Sequence, residues 1–71
     1  MDEEIKAFSD YLNKRTQWFV DFYRINYAGN YANIWIKNTP GQRFKFTIPL
    51  ESLKEENYKK IISILYGYGV I

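Results

Sequence analysis

Residues 31–50 read YANIWIKNTPGQRFKFTIPL, two runs of alternating character joined by a Thr39-Pro40-Gly41-Gln42 turn. In Tyr31 to Asn38 and Arg43 to Leu50 every second residue is apolar, the period of a half-buried strand. Ala32, Ile34, Ile36, Phe44, Phe46, Ile48 and Leu50 fall on one face, which is core material. Tyr31, Trp35, Lys37, Arg43 and Lys45 fall on the other, so this sheet keeps an exposed face of aromatics and cations.

Pro then Gly suits a type II turn, and keeping Ile36 opposite Phe44 requires one extra residue, which a bulge at Gly41 supplies. Upstream, Trp18 to Tyr27 forms a third strand, turning at Ala28-Gly29-Asn30, where Gly and Asn supply positive φ. A two-residue Gly29-Asn30 loop sets Ile25 opposite Ile34, Tyr23 opposite Ile36 and Arg24 opposite Trp35. Phe19, Tyr23, Ile25 and Tyr27 then face the core, while Trp18, Val20, Phe22, Arg24 and Asn26 face outward. A slip of one residue exchanges the two sets. Asp21 lies inside this apolar strand and is expected to bond Asn38 across the ladder.

Helices flank the strands. From about Asp2 to Lys14, Ile5, Phe8 and Leu12 form one stripe with Tyr11 beside them. Acids in the first turn and Lys14 and Arg15 in the last complement the helix dipole. At the other end, Ser52 and Glu55 have capping-box spacing. Leu53, Tyr58, Ile61, Ile62, Leu65 and Tyr66 form the stripe, Gly67 is expected to stop the helix, and Tyr68 to Ile71 to fold back. The expected fold is α+β, in the order α-β-β-β-α: one domain over residues 1–71, a three-stranded antiparallel meander with both helices on one face.

Composition limits the chemistry. The chain has 71 residues, no cysteine and no histidine, so disulfides, thiolate metal sites and histidine acid–base catalysis are all excluded. The serines have no base beside them, and no phosphate-cradling glycine loop is present. A non-enzyme without metal or cofactor is expected. A core this small is near the lower limit for independent stability, so two Trp, seven Tyr and five Phe carry much of it, or self-association does. The acidic N-terminus and the short apolar stretches indicate a cytoplasmic protein with no membrane partner. Ile, Lys, Asn, Tyr and Phe are abundant and Ala, Arg, Gly and Pro scarce, the composition of AT-rich genomes, including those of low-GC bacteria, their phages and some archaeal viruses.

Net charge is only +2, but between residues 16 and 49 Arg24, Lys37, Arg43 and Lys45 face Asp21 alone. Rings stack on unpaired bases while cations neutralise phosphates; the same residues suit a protein interface, where Trp, Tyr and Arg dominate binding. A third reading is structural, with the aromatics shielding the sheet or sealing a homodimer. The candidate residues are Trp18, Arg24, Tyr31, Trp35, Lys37, Arg43 and Lys45. Lys59 and Lys60, one turn after Glu55 and Glu56, read as a solvated helix face.

The element order resembles that of double-stranded-RNA-binding domains. A narrower resemblance runs through Ile34-Trp35-Ile36, Pro40-Gly41-Gln42-Arg43, Thr47-Ile48-Pro49, Tyr58 to Leu65 and Gly69-Val70-Ile71. About half the chain is similar to the C-terminal half of HicA-type mRNA-interferase toxins, which cleave RNA and are neutralised by an antitoxin. That family's essential histidine corresponds to about Asn33, which cannot act as a general base. The resemblance therefore implies a binding scaffold without nuclease activity. The last helix opens with Glu51, Glu55 and Glu56 around Lys54, which repels the phosphates that double-stranded-RNA-binding domains contact there. The expected function is that of a non-catalytic binding protein that occludes a nucleic acid or a nucleic-acid-processing protein, by analogy with small phage- or mobile-element-type inhibitors. An RNA or single-stranded-DNA-binding module and an inactive or atypical HicA-like toxin are the alternatives.

Overall fold

In the computed structural model, which describes residues 2–71, the order is α1 (Glu3–Arg15), β1 (Trp18–Asn26), β2 (Tyr31–Asn38), β3 (Arg43–Pro49), a 3-10 turn (Leu50–Ser52) and α2 (Glu55–Gly67). The strands form one antiparallel sheet in the order β1-β2-β3, and the fold is the expected α+β meander. Ile5, Phe8 and Leu12 of α1 and Tyr58, Ile61, Ile62 and Leu65 of α2 are buried in one cluster with Ala32, Ile34, Ile36 and Ile48. Both helical stripes therefore drain into the same side of the sheet, as their 3.6-residue period requires. Among the described residues no helix is long and apolar enough to cross a membrane.

The β2–β3 register is the expected one, with Ile36 opposite Phe44 and Trp35 opposite Lys45. The extra residue is present in a three-residue connection. Gly41 N–H closes the turn on the Asn38 carbonyl at 2.9 Å, so Thr39 and Pro40 are its central residues, and Gly41 follows at φ 97°. Asn38 is buried and is held by Gln42 rather than Asp21. Its amide nitrogen donates to Gln42 Oε1 at 2.8 Å, and its Oδ1 accepts the Gln42 N–H at 2.7 Å.

The first hairpin departs from expectation. Asn26 pairs with Tyr31, so the loop has four residues and Tyr23 faces Ile34, Ile25 faces Ala32 and Arg24 faces Asn33. From Phe22 to Asn26 the faces survive because the register moves by two, an even number. Within this loop Asn30, and not Gly29, adopts positive φ, at 57°. Gly29 is needed for space: a Cβ there would lie 2.5 Å from Cε1 of Tyr31. Tyr27, expected in the core, is exposed in the turn.

A larger correction lies within β1. The ladder slips between Val20 and Phe22, leaving Asp21 as an unpaired bulge residue. A bulge reverses the phase of alternation. Trp18 and Val20 are consequently buried, only 6% and 5% exposed, while Phe19 lies opposite Lys37 on the outer face. Trp18 is therefore a core residue and not part of a binding face.

The helix ends also differ. Ser52 belongs to the 3-10 turn and makes no side-chain cap; the residue before α2 is Lys54, in extended conformation. The helix runs through Gly67 with Tyr68 as its cap, and Gly69, the next residue, takes the left-handed conformation that stops it, φ 75°. Gly69 N–H bonds the Tyr66 carbonyl at 2.9 Å and Val70 N–H the Leu65 carbonyl at 3.1 Å, the two bonds of a Schellman motif. Val70 and Ile71 then fold onto the core, while Tyr66 points outward, against expectation. Phe44 and Phe46 are only half-buried, because α2 stands off the β3 side of the sheet.

Candidate binding face of the sheet

Opposite the helices, the outer face is built from four cross-strand rows. Asn26, Tyr31 and Pro49 form the first, and Arg24, Asn33 and Thr47 the second. Phe22, Trp35 and Lys45 form the third, and Phe19, Lys37 and Arg43 the fourth. Of the seven sequence candidates, Arg24, Tyr31, Trp35, Lys37, Arg43 and Lys45 share this face; Trp18 does not. Phe19 takes its place.

The third row is the centre. The Phe22 and Trp35 rings are tilted against one another with centroids 5.1 Å apart, and Lys45 Nζ lies 5.5 Å from the Trp35 centroid. That is within range for a cation held by the ring's negative face. Phe22 is 53% exposed, since both helices pack on the other side of the sheet, so its apolar surface is available to a ligand.

The remaining side chains differ in how firmly they are held. The Tyr31 hydroxyl accepts from Asn26 Nδ2 at 3.1 Å, and its ring lies against Gly29, which anchors it at one end. The Asn33 side-chain oxygen accepts from the Thr47 hydroxyl at 2.7 Å. Arg43 is 3.9 Å from the Asp21 carboxylate, with two-thirds of its side chain exposed. A pair this long and wet contributes little, so Arg43 remains available to another anion. Four cations against one carboxylate leave the face positive, as the sequence distribution indicates.

Away from the face, Tyr58 sits between the helices and points its hydroxyl at the Glu4 carbonyl, 3.4 Å away. Burial, then the Glu55 and Glu4 charges, push its pKa above the usual tyrosine value. Its phenol therefore stays protonated and serves packing. Among the described residues no group of three carboxylates converges as a metal site would require.

Sequence reasoning missed Phe19 and misplaced Trp18 through one cause, the bulge. Its signal was Asp21 itself, since aspartate is depleted from regular strands and an unpaired position accommodates it.

No family model, curated protein or solved structure matches the chain.

Proposed function

We propose that this chain is a non-catalytic binding protein whose open sheet face occludes its target, a nucleic acid or a protein that handles one. The Phe22–Trp35–Lys45 row carries the proposal, because it sets flat apolar surface beside a cation at the centre of an uncovered face. Four cations and three outward aromatic rings around Trp35 favour a target offering negative charge next to planar or apolar groups. An RNA or single-stranded-DNA-binding module is the second reading. It is favoured by Lys45 beside the Trp35 ring, where a base could stack and its phosphate be neutralised together.

The test is capture from host extract with and without nuclease, and titration of a labelled single strand of about 20 nucleotides. A protein partner that survives nuclease supports occlusion of a protein; saturable strand binding with a steep salt slope supports nucleic acid. Trp35→Ala should weaken the interaction at least ~30-fold, as truncation of a central interface tryptophan does. Lys37→Glu with Arg43→Glu should abolish strand binding yet affect a mostly apolar protein interface far less. Interactions untouched by all three substitutions would overturn the assignment of this face.

A further inference from the structure

The two long edges of the sheet are finished differently. Along the first part of β1, α1 covers the outward backbone groups of Trp18 and Val20: Val20 N–H donates to Ser9 Oγ at 2.9 Å, and the Trp18 carbonyl accepts from Asn13 Nδ2 at 3.3 Å. Trp18 N–H donates to Thr16 Oγ1 at 3.0 Å. Along β3 no such cover exists among the described residues. Asn38 N–H bonds the Gln42 carbonyl and Leu50 N–H the Asn30 carbonyl, which fixes the alternation between them. Residues 44, 46 and 48 bond inward to β2, so Arg43, Lys45 and Thr47 present their N–H and C=O groups outward. Those groups receive no hydrogen bond from elsewhere among the described residues. The next outward position is Pro49, which has no N–H to leave unpaired.

Beside this edge, on the helix side, lies an apolar groove of about 590 Å³. Phe44 and Phe46 of β3 line it together with Ile61, Ile64 and Leu65 of α2 and Tyr68 beyond the helix. Ile64 is 50% and Tyr68 74% exposed, so the groove is open. A strand laid along β3 would send alternate side chains into the groove and the others to the outer face, beside Arg43 and Lys45.

We propose that the β3 edge and its groove bind an extended segment of a partner protein in which apolar residues alternate with acidic ones. Charge complementarity selects this occupant. Opposite charges on facing strands stabilise and like charges repel. A second copy docking through its own β3 brings Arg43 and Lys45 against the same cations, and edge lysines commonly guard against such pairing. A nucleic acid has no backbone amides to complete the ladder. The inference shares Arg43 and Lys45 with the open face, but the groove and the β3 backbone groups it uses lie outside that face.

The probe is a capped synthetic peptide of about nine residues, roughly strand length, alternating glutamate with isoleucine or phenylalanine. One control replaces every glutamate by lysine; another groups the same residues into blocks. The alternating acidic peptide should bind saturably, at least ~10-fold more tightly than either control. Binding should slow amide exchange at Arg43, Lys45 and Thr47. Ile64→Asp should weaken it ~10-fold with the melting curve unchanged; Tyr68→Ser, at a more exposed position, is the second variant. Equal binding of the lysine peptide, protection confined to the Phe22–Trp35 face, or no saturation by about 1 mM would overturn the proposal. So would a dimer in sedimentation whose β3 amides are protected without peptide, since that assigns the edge to a second copy.

Discussion

Phe8→Ala should remove a large share of the folding free energy at 25 °C. Phe8 is fully buried and joins three elements from α1: its ring meets Tyr58 of α2 edge-on at 5.4 Å and Phe46 of β3 at 6.2 Å. Removing a buried phenylalanine costs about 3–5 kcal/mol through lost burial and the cavity left behind. A chain of this length has only about 4–10 kcal/mol in total. Urea titration followed by circular dichroism should show the midpoint collapse. Phe46→Ala should cost distinctly less, because Phe46 is half-buried at the groove. A larger loss for Phe46 than for Phe8 would mean that the groove is closed in solution.

Trp18→Ala should be nearly as damaging, costing about 3–5 kcal/mol, whereas Trp35→Ala should leave the melting transition largely in place. The two tryptophans look alike in sequence, but Trp18 is 6% exposed in the core cluster and Trp35 lies on the outer face. Thermal melts of the two variants measure the difference directly. Fluorescence gives a second check: the Trp18→Ala protein retains only the outer, more water-sensitive emitter. Equal stability of both variants would return Trp18 to the surface and dissolve the bulge.

Much of this architecture was legible because helices and strands impress different periods on the sequence. Ile5, Phe8 and Leu12 repeat as a helix repeats, and Ile34, Ile36, Phe44 and Phe46 as strands do. The β2–β3 register was legible too, since only a connection containing Gly41 keeps Ile36 opposite Phe44. Two kinds of error followed from physics that local pattern does not carry. The run from Trp18 to Val20 is apolar throughout, so either phase satisfies it, and only packing against α1 selects the one seen. Ser52 with Glu55 has the spacing of a cap, yet the 3-10 turn that brings Leu53 into the core moves the helix start beyond Ser52. Similarly, Gly67 and Gly69 are equivalent stops on paper. Packing of Val70 against the core favours the later one, because the Schellman bond to Leu65 draws it there. For the outer face, six of the seven candidate residues were placed correctly, since β2 and β3 carry most of them and their alternation is unbroken.

The bulge at Asp21 makes β1 a strand with a spare residue. Deleting one residue from mid-strand normally turns half of the strand inside out. Here the pairing runs Val20 with Ile36 and then Phe22 with Trp35, so losing Asp21 would join two segments already in step. Trp18 and Val20 would remain inside, Phe19 and Phe22 outside, and every partner on β2 would be unchanged. The chain without Asp21 should therefore fold, with a straighter β1 and with Arg43 released from its only carboxylate neighbour within 4 Å among the described residues. Deleting Phe19 instead should not be tolerated, which circular dichroism of the two shortened chains would show. A loop is the usual refuge for length variation; this chain offers a place for it within its sheet.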